Sequence, residues 1–271
     1  GVFLDIAWIK EKLPKATEHI KRKLPSMYHQ FKELAGIDIT DEPMEVGPTT
    51  HYIMGGVRVD PDSQMSSVPG LFAAGECGTG LHGANRLGGN SLSDLVVFGK
   101  RAGEFAAHFA ADERVISSVD SSQVEEIIHG ALSCFDGDTG TENPYLIQSE
   151  LQDKMQALVG IVRREDEMGQ ALEVIDQLKK RSREVSVPGN REYNNGWHTA
   201  LDLGNLLIVA EAITRSALLR KESRGAQFRS DYPDKDKDLG QVNALICKGP
   251  DGRMEVRHET ADSATLVIVP G

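Results

Sequence analysis

The stretch that most restricts how this chain folds is the glycine-rich segment Gly75 to Gly89, because of what stands on either side of it. Before it, Val68-Pro69-Gly70 leads into Leu71-Phe72-Ala73-Ala74, a short apolar run that reads as a buried strand. After it, Asn90-Ser91 offers side-chain oxygens for a helix N-cap. Leu92, Leu95, Val96, Phe98 and Gly99 then continue with helical spacing toward Phe105. Strand, glycine loop and helix in that order belong to an α/β layer, and they leave room for a ligand at the loop.

The two flanks differ in kind. Residues 1–40 read as a short apolar strand, Val2 to Ile6, followed by polar helical stretches punctuated by Pro14 and Pro25. Residues 42–75 read as extended, with a turn at Asp60-Pro61-Asp62. Beyond about 120 the pattern changes to three- and four-residue spacing over 121–132, 145–163, 166–183 and 197–221. Leu151, Met155, Leu158 and Val162 are one such series, and Met168, Leu172, Ile175 and Leu178 another. That is a helical bundle, with loops at Asp136-Gly137-Asp138 and Pro188-Gly189-Asn190. The last stretch, ending in the apolar run Ala264 to Val269, reads as a hairpin or tail.

Composition excludes several classes. With 271 residues, 39% hydrophobic and 26% charged, the chain can bury one large core or two ordinary ones. No apolar run approaches the ~18 residues of a membrane span. A net charge of −11 argues against nucleic acid as a partner. Cys77, Cys134 and Cys247 are too widely spaced for an iron–sulfur cluster, so a metal site is not expected. The chain opens on a strand-like run without an initiator Met, which suggests a truncated or proteolysed product.

Gly78-Thr79-Gly80-Leu81-His82-Gly83 matches GxGxxG, the pattern of a dinucleotide phosphate loop. Its last glycine, however, lies several residues ahead of the helix expected at Asn90, where a phosphate loop needs it at the helix start. These glycines are better suited to letting the backbone approach a flat ring or a small substrate. Arg86, among glycines just before a helix N-terminus, offers a planar fork for a carboxylate, or else an ordinary surface ion pair. His51, beside Gly55-Gly56, reads as a ligand-facing or a core histidine.

Three motifs then stand together: His51-Tyr52-x-Met54-Gly55-Gly56, Leu71 to Glu76, and His82-Gly83-Ala84-Asn85-Arg86-Leu87-Gly88-Gly89-Asn90-Ser91-Leu92. With Glu222-Ser223-Arg224-Gly225-Ala226, Arg229 and Asp231-Tyr232-Pro233, they resemble the FAD-dependent succinate dehydrogenase/fumarate reductase flavoprotein family, in its C-terminal half. The resemblance implies FAD as cofactor, with Glu76 on the adenosine ribose and Asn90, Ser91 and Leu92 at the flavin. It implies that His51 and Arg86 hold the carboxylates of succinate or fumarate. It also implies electron transfer to quinone through an iron–sulfur subunit, beside a membrane anchor, in a complex peripheral to the cytoplasmic face of a bacterial or archaeal plasma membrane. The family's phosphate loop, its flavin-linking histidine and its proton-shuttling arginine belong to an N-terminal half upstream of Gly1. No catalytic acid is therefore expected in this chain, which alone is expected to be inactive. Gln227 stands where the family commonly has His.

The expected fold class is α/β plus all-α: the remainder of a Rossmann-like FAD-binding domain with the end of a capping domain, then a helical bundle. The expected domains are 1–45, the end of the capping domain; 46–115, flavin domain; 116–140, linker and short helix; 141–235, helical domain; and 236–271, tail or hairpin. Within the class, L-aspartate oxidase is the rival reading, although Gly88-Gly89 resembles the succinate/fumarate branch. From another class, the helical half would be a non-catalytic docking fragment.

Overall fold

The computed structural model describes residues 2–47, 51–112, 119–135 and 142–260. The turn read at 136–138 and the apolar run at 264–269 lie outside them. The chain divides into two compact units, Gly1–Tyr52 and Ile53–Gly271.

In the first unit, strand β1 (Val2–Leu4) pairs antiparallel with β2 (Met44–Val46), Phe3 opposite Glu45. Between them run α1 (Ala16–Lys23) and α2 (Pro25–Gln30). Pro25 occupies the first turn of α2, where a missing N–H costs nothing. A wider helical turn, Phe31–Ala35, follows and stops at Gly36, whose φ of +70° is easy only for glycine. Ile20, Ile39 and Met44 form the buried core, with Ile9, Met27 and Phe31 packed against it. Asp38 braces the return to β2. Its carboxylate accepts from the Thr40 hydroxyl at 2.6 Å, which holds its pKa down at about 2.

The second unit begins with extended chain rather than a regular sheet. Leu71–Ala74, read as a strand, has as its strand pairing among the described residues a single isolated bridge from Phe72 to Met65. A strand needs neighbours on its edges to become a ladder, and no further strand lies alongside it among the described residues. The glycine segment opens with a tight turn at Gly75–Cys77 and ends at α3 (Asn90–Asp112), which starts at the expected residue. Arg101 of α3 binds Asp62 at 3.0 Å, and Phe109 meets Phe72 edge to face.

Helix α4 (Ser121–Leu132) is capped by Asp120, and the bundle follows: α5 (Pro144–Leu158), α6 (Glu165–Arg181) and α7 (Asn195–Leu219). Ile147 and Leu151 of α5, Ile175 and Leu178 of α6, and Leu203 and Leu207 of α7 close one core. Glu165, Asp166 and Glu167 open α6 and Lys179, Lys180 and Arg181 end it, each set matching the helix dipole. Helix α5 stops at Leu158, short of Val162. That residue instead enters a two-residue strand, β3 (Val162–Arg163), parallel to β4 (Phe228–Arg229). The last described element is an antiparallel hairpin, β5 (Val242–Lys248) with β6 (Met254–Thr260), tied to the start of the unit by Arg58 on Glu259 at 2.8 Å. The fold is mixed helix and sheet with helix predominant: remnants of an α/β layer followed by an all-α bundle.

Candidate functional site

Gly55 and Gly56 bring extended chain directly over the Gly75–Cys77 turn. A Cβ on Gly56 would sit 2.2 Å from the Cys77 carbonyl oxygen, so only glycine fits there. Two backbone bonds lock the approach, Val57 N–H to Cys77 O at 2.7 Å and Thr79 N–H to Val57 O at 3.0 Å. Glu76 stands at this junction. One carboxylate oxygen accepts from the Ile53 N–H at 2.9 Å, and the side chain is exposed.

From Gly78 the chain loops through His82 and Arg86 to Gly89, whose φ of +85° turns it into α3. No helix begins at Gly83, so the GxGxxG match is not a helix-opening phosphate loop. Arg86 is half-buried, Asn90 is exposed, and Ser91 is half-buried in the first turn of α3. Leu92 is 70% exposed and Val96 73%, and Leu87 in the loop is exposed as well. The loop and helix start therefore join an arginine, helix N–H groups and uncovered apolar side chains within a few residues. Glu76, Arg86, Asn90, Ser91 and Leu92 all belong to the second unit. His51 is exposed and belongs to the first.

Two sets of contacts join residues that the sequence motifs contain but do not pair. His82 Nε2 stands 3.2 Å from Oδ2 of Asp94, which is buried in the first turns of α3. This contact straps the loop to the helix. Nothing in hydrophobic spacing marks the pair, because one partner sits in a loop and the other on a helix.

The second is a knot of charge after α7. Glu222 and Arg229 are both fully buried. Glu222 accepts from Arg220, from Arg224 at 2.9 Å and from the Asp236 N–H at 2.9 Å. Burial alone would raise its pKa, but these donors outweigh that and bring it down to about 2. Arg229 forks onto Asp231 at 2.8 and 2.7 Å and caps α7 through the Ala217 carbonyl at 2.9 Å. Its charge holds the Asp231 carboxyl well below the usual range. Gln227 accepts from Arg163 and donates to Ala217 O at 3.2 Å, so its amide uses both of its ends. That gives the position where the family commonly has His a hydrogen-bonding role that an amide fills. Among the described residues, no three His, Cys, Asp or Glu side chains stand together as metal ligands. No helix among them is long and apolar enough to cross a membrane.

A family model described as the fumarate reductase flavoprotein C-term matches residues 148–270, and one described as an FAD binding domain matches 9–92. The Haemophilus influenzae fumarate reductase flavoprotein subunit is 38% identical over 239 residues, covering 87% of this chain and 38% of the relative. Its Escherichia coli counterpart, also named a fumarate reductase flavoprotein subunit, is 34% identical over 276 residues, covering 98% of this chain and 44% of the relative. Among solved structures, Mycobacterium smegmatis Sdh1 in complex with UQ1 superposes with a TM-score of 0.79 at 47% identity, over 96% of this chain and 43% of that one. The chain thus spans less than half the length of each. With these matches at both ends of the sequence, the chain belongs to the FAD-dependent succinate dehydrogenase/fumarate reductase flavoprotein family.

Proposed function

We propose that this chain is the substrate-binding and flavin-contacting C-terminal part of a flavoprotein that interconverts succinate and fumarate. The observation that carries the reading is the arginine-bearing glycine loop running into the N-terminus of α3, in a chain of this family. FAD, when bound, supplies the hydride acceptor or donor. Residues of this chain fit it in part. Glu76 keeps an exposed carboxylate able to accept from a ribose diol. The bare Leu92 and Val96 suit a flat ring, and the Ser91 N–H in the first turn of α3 suits its electron-rich edge, with Asn90 beside it. A pyrophosphate loop is not among the described elements, and in this reading it comes from upstream chain.

Arg86 supplies the fork for one substrate carboxylate, and His51 is a further candidate donor to a carboxylate. The half-burial of Arg86 favours this, since a partly desolvated guanidinium binds a carboxylate more strongly than an exposed one. Fixing a carboxylate orients the dicarboxylate, and in this reading the proton is moved by an arginine of upstream chain. Electrons leave through a separate iron–sulfur subunit toward quinone, with a membrane anchor holding the complex at the inner face of the plasma membrane.

In the full-length flavoprotein, Arg86→Ala is expected to abolish dye-linked succinate oxidation while FAD absorbance persists. Loss of the fork leaves a buried carboxylate without its partner, at a cost of roughly 3–5 kcal/mol. Near-normal turnover would make Arg86 a surface residue, and oxidation of aspartate in place of succinate would move the protein to the aspartate oxidase branch.

A further inference from the structure

The Arg86 loop has little to stiffen it from within, since Gly83, Gly88 and Gly89 surround the arginine. Its bracing comes from outside. On one side His82 is tied to Asp94 of α3. On the other, the tip of a turn from the helical half presses on Ala84, two residues before Arg86. Arg224 and Gln227 exchange backbone bonds at 2.8 and 3.0 Å, leaving Gly225 and Ala226 at the turn's tip. The Ala226 N–H donates to the Ala84 carbonyl at 3.0 Å. Gly225 has a φ of +59°, and a Cβ there would lie 2.4 Å from that same carbonyl oxygen. Contact this close is possible only for glycine.

The turn itself cannot easily yield. Arg224 at one end of its base binds buried Glu222, and also the Asp236 carbonyl at 2.7 Å. Gln227 at the other end is held by Arg163 and by the last turn of α7. A rigid finger rooted in the helical bundle therefore rests on the backbone of the loop.

Resting on the function proposed above, we propose that Gly225 and Ala226 are positioning residues for dicarboxylate binding. Through Ala84 they set where the Arg86 guanidinium is held, which gives the helical half a part in substrate recognition. A bidentate fork is sensitive to displacement: a shift of about 1 Å costs up to about a hundredfold in rate. Gly225→Ala must push the loop or the finger by about that much, from 2.4 Å out to ordinary contact at 3.4 Å, because the colliding atom is backbone and not a flexible side-chain end.

The test uses the full-length, FAD-loaded flavoprotein. Gly225→Ala is expected to raise the succinate KM and the dissociation constant of a non-reacting dicarboxylate, malonate, by about ten- to a hundredfold. FAD content and spectrum should stay at the wild-type level. Gly252→Ala is the strain control, with a comparable φ of +80° but only Lys248 Cε nearby, at 3.8 Å. It should lower stability and leave KM unchanged. A wild-type KM in Gly225→Ala, or an equal rise in the Gly252 control, would each overturn the inference. If Gly225→Ala yields no flavin-loaded protein, Ala84→Gly decides. It frees the loop while sparing the finger, and an unchanged KM there overturns the proposal, whereas a raised one supports it. Failure of the functional reading looks different: the wild type would not turn over succinate or fumarate at all.

Discussion

Glu222 shows how much one side chain can carry. Its carboxylate is completely buried yet ionised, because two arginines and a backbone N–H reach it. Glu222→Gln keeps the shape and removes the charge, leaving Arg220 and Arg224 uncompensated at a buried point. The expected loss is roughly 3–5 kcal/mol in urea unfolding. The pH dependence follows from the lowered pKa. The folded carboxyl titrates at about 2 against an ordinary 4.5, so the ionised form is favoured by folding. The stability it contributes is whole above pH 4.5 and is lost as pH falls from there toward 2. Stability measured from about pH 6 to about pH 2 should therefore fall more steeply for the wild type than for Glu222→Gln. Parallel profiles would mean that Glu222 is not the group being titrated.

At the scale of elements, the helices were legible from their apolar period. Asn90 opens α3, and α6 and α7 follow their spacing closely, while α5 ends at Leu158 where the spacing ran on to 163. Strands were legible unevenly: Val2 to Leu4 and the hairpin after 236 form as read, whereas Leu71–Ala74 is strand-like in composition but a ladder depends on a neighbour that sequence spacing does not show. Part of the candidate site could be read from motif positions, as with Arg86 and Glu76. The His82–Asp94 strap and the finger on Ala84 could not, because they join loops through single contacts with no period. Two caps permit a quantitative comparison. Asn143 accepts from the Tyr145 N–H at 2.9 Å, whereas Asn194 accepts from Trp197 N–H and also donates to Pro188 O and Asn190 O, at 3.0 and 2.8 Å. Asn143→Ala is expected to cost about 1 kcal/mol and Asn194→Ala about 2 kcal/mol. Chemical denaturation measures both, and equal costs would show that the extra donations add nothing.

For the whole molecule, the long helix α3 leaves much of its apolar surface bare, Leu92, Leu95, Val96 and Val97 among it. The described residues hold no helix-opening phosphate loop. The 271-residue chain alone, given FAD, is therefore expected to show no dye-linked succinate oxidation and weak flavin binding or none. Substantial turnover would mean that its own glycine loop does the work assigned to upstream chain. The charge knot also bears on the order in which the site comes together. The hydrogen bonds of Glu222 and Arg229 join residues close in sequence, with Glu222 reaching Asp236 across 14 positions and Arg229 reaching Ala217 across 12. Closing such short loops loses little chain entropy, so the knot is expected to form early in folding. The bond from Ala226 to Ala84 spans more than half of the chain and cannot form until both halves are in place. The loop that carries Arg86 is thus shaped last, against a finger that is already rigid, and a chain that has folded its bundle but not yet docked that finger holds the arginine of the carboxylate fork without its geometry.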